Sequence, residues 1–223
     1  MRYLVATGDP SHHGKKTEIV DILDPTKSCL LDDTAYRGES TGGLLGTTPV
    51  ICGGRIGPSK LNKCILYGTT QVITMNSKRA QHLSITLNSS MLWIMGGSNA
   101  NDVTTEFITK DAGAVNGPTL PEPVGESCAV RFIKNGYIYL IGGMGGSDSL
   151  YEIDNVWVAN PLNDFAFTEG PSLMTARSEH SCSTMSIGAK SIIVAAGGFN
   201  SNSGELKSVE ILDPTSNQWV AGK

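Results

Sequence analysis

The chain has 223 residues, of which 26 are glycine and 10 are proline, and 39% of the residues are hydrophobic. This composition suits one all-β domain with many short strands and tight turns, and the length allows a sizeable core. The net charge of −4 is too mild for a nucleic-acid surface, which needs a basic stripe. We also expect no membrane segment and no signal peptide, because no apolar run approaches the roughly 18 residues of a membrane span.

The chain opens with three predicted strands. Residues 2–8 form the first apolar run, and residues 17–23 form the second. Asp24-Pro25 predicts a turn that leads into a third strand at 28–31. Nothing precedes Met1 that could supply a fourth strand, so this first set is expected to lack its inner strand.

The second and third sets of strands follow between residues 40 and 121. The second set spans 40–75, with a first turn at 45–48 and a loop at 55–60. The third set begins near Lys78 and turns at Asn88-Ser-Ser90. Its outer strand is weakly marked in the sequence.

The last two sets carry the strongest signals. Asn135-Gly136 lies between two β-rich runs, which predicts a hairpin with a type I′ turn, and a long loop is expected at 144–154. The exit Gly170-Pro-Ser-Leu173 matches Gly117-Pro-Thr-Leu120 in the preceding set. The final stretch, 177–219, contains four predicted strands in about forty residues.

The glycines that end the apolar runs reveal a repeat. These runs end at residues 8, 54, 97, 143 and 198, so the successive spacings are 46, 43, 46 and 55. A second marker agrees, because near-identical hexamers begin at Asp21 and Glu210, 189 residues apart, which is four periods of about 47. The chain therefore consists of about five copies of one unit.

The last copy resembles the kelch repeat, whose blades build β-propellers. The resemblance rests on Arg177-Ser-Glu-His-Ser-Cys182, on the diglycine Gly197-Gly198 and on Trp219, which matches the tryptophan of the family. It implies a single kelch-type β-propeller over residues 1–223, with about five four-stranded blades of which the first lacks its inner strand. We name the blades one to five by their predicted ranges, which are 1–35, 36–76, 77–121, 122–174 and 175–223. With the strand missing, either the five blades close imperfectly or the chain is a piece of a longer kelch protein, and we favour the second.

The same resemblance implies a function in protein binding. Kelch propellers commonly bind a protein or peptide with the loops that follow the diglycines and with the loops that lead into the first strands. Members of this family with a BTB domain serve as substrate-recognition adaptors of cullin-type ubiquitin ligases, and no BTB domain is evident in these residues. The matching positions that we expect to contact a partner are Arg55, Arg79, Asn101, Tyr151, Arg177 and Asn200. Arginines here could hold carboxylates in bidentate fashion or could equally be ordinary surface charges and blade-to-blade hydrogen bonds.

An alternative function is a sugar-handling enzyme, similar to the kelch-propeller mutarotases and epimerases. Arg177, Glu179 and His180 would then lie around the channel mouth and together supply an acid, a base and an anion clamp. The sequence shows no other catalytic pattern, so we expect a chain that is not an enzyme and binds no cofactor. His12-His13 lacks a third ligand nearby, and no metal site is expected.

The five cysteines are odd in number and show no C-x-x-C spacing; they lie at Cys29, Cys52, Cys64, Cys128 and Cys182. This pattern predicts free cysteines in a reducing compartment, the cytoplasm. Cys128 and Cys182 occupy one repeat position, where we expect small buried apolar side chains rather than a redox sensor.

Overall fold

The computed structural model describes residues 2–6, 16–21, 29–32, 37–98, 102–146, 151–188 and 190–222. All regular structure in these residues is β-strand, joined in antiparallel sheets. No helix in the described part of the chain is long and apolar enough to cross a membrane. The chain divides into two compact units, unit 1 (Met1–Ile94 and Glu106–Asn116) and unit 2 (Met95–Thr105 and Gly117–Lys223).

Blade one is a three-stranded sheet in the order β1-β2-β3. Its strands are β1 (Arg2–Ala6), β2 (Lys16–Asp21) and β3 (Cys29–Asp32). The three strands match the three that the sequence predicts. The loop with His12-His13 and Thr7-Gly8 lies outside the described residues.

Blade two is a four-stranded sheet with one short additional strand. Its strands are β4 (Thr41–Leu45), β5 (Thr48–Cys52), β6 (Arg55–Ile56), β7 (Ser59–Leu66) and β8 (Val72–Arg79). The predicted turn at 45–48 is present, because Leu45 pairs with Thr48. The stretch 55–60 is not an irregular loop, since β6 pairs with the start of β7 to form a short hairpin.

Blade three supplies the rest of the core of unit 1. Its strands are β9 (Leu83–Asn88), β10 (Met91–Met95), β11 (Thr105–Thr109) and β12 (Gly113–Asn116). Alternate residues of a strand point to the same face, so the inward residues of blades two and three meet in one apolar cluster. This cluster contains Leu45, Val50, Cys52, Cys64, Leu66, Ile73, Met75, Leu92, Ile94 and Ile108.

Blade four departs most from the expected pattern. Its strands are β13 (Val124–Gly125), β14 (Cys128–Arg131), β15 (Ile138–Gly145), β16 (Tyr151–Asn160) and β17 (Ala166–Glu169). The hairpin at Asn135-Gly136 exists, but the type I′ turn was wrong. Only Gly136 has a positive φ, and the Asn135 side chain accepts a hydrogen bond from the Tyr137 amide instead. The expected loop at 144–154 is shorter, because β15 runs on to Gly145 and β16 already begins at Tyr151.

Blade five completes the core of unit 2. Its strands are β18 (Ser181–Ile187), β19 (Lys190–Ala196), β20 (Phe199–Asn200), β21 (Gly204–Glu205), β22 (Val209–Asp213) and β23 (Gln218–Ala221). Side chains of blades four and five form a second apolar cluster that includes Tyr139, Val156, Ile193, Leu212 and Trp219. Trp219 is 3% exposed and donates its indole N–H to the Pro171 carbonyl at 2.8 Å, so it is a packing residue of this cluster.

The strand count agrees with the repeat. When the two-residue strands β6, β13, β20 and β21 are set aside, the described residues hold nineteen strands. One three-stranded and four four-stranded sheets account for all of them. The fold is all-β and is built from sheets with the strand order of β-propeller blades, with a first blade that has three strands.

Candidate partner-binding face

Each of blades two to five begins with a corner of four residues. The corners are 37–40, 79–82, 124–127 and 177–180, and we name the first residue of each the corner residue. The third residue has a positive φ in all four, namely Glu39, Gln81, Glu126 and Glu179 at 51° to 56°. A left-handed conformation is uncommon for residues other than glycine, so its recurrence shows that one backbone geometry defines the corner.

Two of the corner residues, Arg79 and Arg177, are buried rather than exposed. Arg79 donates from Nε and Nη2 to Oε1 of Glu106 at 3.2 and 3.1 Å. Arg177 donates from Nη2 to Oε1 of Glu210 at 2.6 Å and from Nη1 to the Gly197 carbonyl at 2.8 Å. Both guanidinium groups have 0% side-chain exposure.

The two acidic partners are held in the same way. Glu106 accepts backbone N–H groups of Asn76 at 2.6 Å and Ser77 at 3.1 Å. Glu210 accepts those of Met174 and Thr175 at the same two distances. A buried ion pair is tolerated when its remaining lone pairs and protons are satisfied, and here the backbone does this twice. The expectation that Arg79 and Arg177 present their guanidinium groups to a partner is thereby corrected.

Sequence reasoning missed the third buried arginine of this series, Arg37. Its Nη1 donates to the Gly53 carbonyl and to the Lys63 carbonyl, both at 2.9 Å, as Arg177 does in blade five. The signal was present, because Arg37-Gly-Glu-Ser40 lies 16 residues before its diglycine and resembles Arg177-Ser-Glu-His180. In blade four the corner residue is Val124.

The diglycines connect each blade to the following corner. The amide of the second glycine donates to the carbonyl of the next corner residue, from Gly54 to Arg79 and from Gly143 to Arg177, both at 2.8 Å. A side chain cannot fit here, since a Cβ on Gly143 would lie 2.5 Å from the Gly125 carbonyl oxygen. Gly143 also has a φ of 109°, which other residues rarely adopt.

The remaining candidate residues divide between surface and interior. The Arg55 side chain is 40% exposed and forms an ion pair with Glu39. Tyr151 is 57% exposed at the start of β16. Asn200 is buried, and its amide donates to the Ala176 carbonyl at 2.8 Å, so it shapes its loop. Asn101 lies outside the described residues.

An additional aromatic, Phe199 of β20, lies in unit 2 together with Tyr151 of β16. Phe199 follows the diglycine of blade five and is 40% exposed. The Ser201 hydroxyl donates to Oε2 of Glu152 at 2.8 Å and ties the end of β20 to the start of β16. Burial acts to raise the pKa of Glu152, but hydrogen bonds from the Ser201 hydroxyl and from backbone amides outweigh it and lower that pKa. We name Tyr151, Glu152, Phe199 and Ser201 the loop face of unit 2.

Comparison with known families identifies the repeat. The family model described as the Kelch motif matches residues 189–222, which contain the diglycine, β19 to β23 and Trp219. The last blade therefore contains a kelch repeat. No curated protein matches the chain. Kelch repeats are modules of protein interaction, and the geometry above shows which parts of these repeats build the blades and which remain on the surface.

The kelch corner of blade five does not form the enzyme site considered from the sequence. Arg177 and His180 are buried, whereas Glu179 is exposed. Burial, followed by the charge of Arg177, lowers the pKa of His180 from 6.5 to about 4, with a backbone interaction at Ile141 partly opposing this shift. Arg177, Glu179 and His180 therefore do not face one common surface where a sugar could bind. Within the described ranges, no group of three or more His, Cys, Asp and Glu side chains could hold a metal ion.

Four of the five cysteines form two disulfides, which corrects the prediction that these four are free. Cys52 is bonded to Cys64 and Cys128 to Cys182. Disulfides persist in oxidising compartments and are rare in the cytosol. The expectation of a cytoplasmic location was based on free cysteines, and the disulfides remove that basis.

Proposed function

We propose that this kelch chain binds a protein or peptide ligand at the loop face of unit 2. The observation that carries the proposal is the pair of exposed aromatic side chains, Tyr151 at the start of β16 and Phe199 in β20, two segments that the Ser201–Glu152 hydrogen bond joins. Tyrosine and phenylalanine supply large contact areas at low entropic cost, which is why aromatic residues are enriched at binding hot spots. The Kelch motif supports the proposal at the level of the family.

The corners support this proposal indirectly. Arg79 and Arg177 are satisfied within the protein, so ligand contacts are left to the loops that the corners and diglycines position. A rigid base beneath a binding loop lowers the entropy that binding must overcome. Arg55 of unit 1 is a separate candidate, whose charge a ligand carboxylate could share with Glu39.

As a finer assignment, we propose that this chain is the substrate-recognition part of a cullin-type ubiquitin ligase adaptor. Such a role requires an effector domain in the same protein and a cytoplasmic location. In the cytosol the thiols would be kept reduced, so the adaptor role and the two disulfides predict opposite redox states in cells. Alkylation of intact cells followed by mass spectrometry of the Cys128 and Cys182 peptides distinguishes them, and fully oxidised peptides would refute the adaptor role.

The binding face is tested with defined ligands. A phage-displayed peptide library is selected on the protein, and the affinity of each synthetic peptide is measured by titration calorimetry. Tyr151→Ala and Phe199→Ala should each weaken binding at least about tenfold, as hot-spot truncations do.

Leu162→Ala is the matched control. Leu162 is 90% exposed in the turn after β16, at the far end of the strand that starts with Tyr151. This variant should bind as the parent does. Peptides that bind all three variants equally would place the ligand elsewhere, and a loss confined to Arg55→Ala would move the site to unit 1.

A further inference from the structure

The two disulfides lie in opposite surroundings. Cys52 and Cys64 are 0% exposed, face each other on β5 and β7 of one sheet, and belong to the apolar cluster of unit 1. Cys128 and Cys182 instead connect β14 of blade four with β18 of blade five and are both partly exposed. The Cys52–Cys64 bond is thus buried within one sheet, whereas the Cys128–Cys182 bond links two sheets at the surface of unit 2.

We propose that Cys128–Cys182 is a thiol-exchange site, which small thiol or dithiol reductants open and disulfide oxidants close while Cys52–Cys64 stays oxidised. Exchange requires that a thiolate reach a sulfur atom, so access decides which disulfide reacts. β14 and β18 are both edge strands of their sheets, because each pairs with a single neighbour, β15 and β19 respectively. Within the described residues, no further strand of their own sheets covers these cysteines.

The surroundings also assign the direction of the reaction. Cys182 packs against the apolar cluster of unit 2, whereas Cys128 is not among the residues of that cluster. The incoming thiolate therefore attacks Sγ of Cys128 and forms a mixed disulfide, and the Sγ of Cys182 leaves as a thiolate that takes up a proton. A second thiolate attacks the reductant's sulfur in the mixed disulfide. This releases Cys128 as a thiol and the reductant as its disulfide, so that two electrons and two protons pass to the protein.

Blades four and five remain joined after the disulfide opens. The Gly143 amide still donates to the Arg177 carbonyl at 2.8 Å, and the Glu179 amide donates to the Glu126 carbonyl at 2.9 Å. The apolar cluster of unit 2 also stays in place. Opening thus loosens unit 2 without unfolding it, which makes the change reversible.

The first test measures which disulfide reacts. The protein is produced in an oxidising secretory compartment, treated with dithiothreitol without denaturant, quenched with an alkylating reagent and analysed by peptide mass spectrometry. Cys128 and Cys182 should be labelled at least about tenfold faster than Cys52 and Cys64. Equal rates, faster labelling of Cys52, no labelling of any of the four, or free Cys128 and Cys182 before reduction would each overturn the proposal.

The second test measures the consequence for stability. The disulfide closes a segment of 54 residues, so its loss should lower the unfolding temperature by about 10 °C. Mild reduction of the parent should give this shift with an unchanged circular dichroism spectrum. The double variant Cys128→Ser, Cys182→Ser should start at the lower temperature and no longer respond to mild reduction. A double variant that still responds as the parent does, or a parent that unfolds on reduction, would refute the assignment.

Discussion

The buried ion pair of blade five allows a sharp test of how the corners are stabilised. We consider Glu210→Gln, which keeps the shape of the side chain and removes its charge. Glu210 accepts hydrogen bonds from Arg177 at 2.6 Å and from the amides of Met174 and Thr175 at 2.6 and 3.1 Å. In the variant the Arg177 guanidinium stays buried without a counter-charge. The NH₂ group of the new amide also faces N–H donors, with which it cannot form hydrogen bonds.

The expected cost follows from burial of both partners. The side chains of Arg177 and Glu210 are 0% and 3% exposed, so water cannot replace the lost charge. Removal of one partner from such a pair costs about 3 to 5 kcal/mol of unfolding free energy, a large share of the 5 to 15 kcal/mol that stabilises a typical domain. Urea unfolding followed by tryptophan fluorescence measures this difference.

Two controls make the result decisive. Glu205→Gln removes an exposed carboxylate from the same blade and should change the unfolding free energy by less than about 0.5 kcal/mol. Adding Arg177→Met to Glu210→Gln removes the unpaired charge and should recover part of the loss. If Glu210→Gln costs no more than Glu205→Gln, the ion pair does not stabilise the corner and the reasoning fails.

Three further predictions concern pH, backbone and the last strand. The pKa of His180 falls from 6.5 in the unfolded state to about 4 in the folded state, so the unfolded state binds more protons between these pH values. The unfolding free energy should therefore drop by about 3 kcal/mol from pH 7 to pH 4, as measured by urea titration. If the His180→Gln variant shows the same dependence on pH, the prediction is wrong. Gly143→Ala should lower the urea midpoint strongly because its Cβ would meet a backbone oxygen at 2.5 Å, whereas Gly188→Asn, with no atom within 4 Å of its Cβ, should leave the midpoint nearly unchanged. Trp219→Phe loses the bond to the Pro171 carbonyl and should cost about 1 to 2 kcal/mol in the same assay, and an unchanged midpoint would show that this bond contributes nothing.

The strand order of the chain could be predicted because the signals that end strands are local. A diglycine or an Asn-Gly pair allows a positive φ, and the proline of an Asp-Pro pair fixes φ, so each marks a turn locally and no distant contact is needed to interpret it. The type of the Asn135-Gly136 turn was wrong because the Asn135 side chain caps the Tyr137 amide, a choice that the dipeptide alone does not determine. The length of the loop after Met144 was wrong for a similar reason, since pairing with β16 extends β15 to Gly145.

The burial of the arginines could not be predicted from the corners alone. Their partners lie 27 residues further along the chain for Arg79 and 33 for Arg177, and only the pairing of strands brings them together. A weak signal exists in the third strand of blades three and five. Glu106 is the only charged residue of β11, and Glu210 is the only one of β22 before the terminal Asp213. A charge at an inward position calls for a buried partner of opposite sign.

The disulfides depended on register in the same way. Cys52 and Cys64 are 12 residues apart, but they face each other only because β5 pairs with β7 in the observed register. Counting cysteines and inspecting their spacing carries no information on register. The repeat position shared by Cys128 and Cys182 did contain the answer, since equivalent inner strands of successive blades lie side by side.

At each corner the backbone and the side chain make different contacts, and this difference affects how kelch repeats can diverge and be recombined. Successive blades are joined through the backbone carbonyl of the corner residue, a group that every amino acid carries, as Val124 shows by accepting the Gly97 amide at 2.9 Å without an arginine side chain. The arginine side chain instead ties a blade to its own diglycine carbonyl. Sequence drift at the corner therefore changes the stability of a single blade and leaves its joint to the neighbour compatible. A blade transplanted from another kelch protein should join these repeats whenever it supplies the second glycine, whatever residue it carries at the corner.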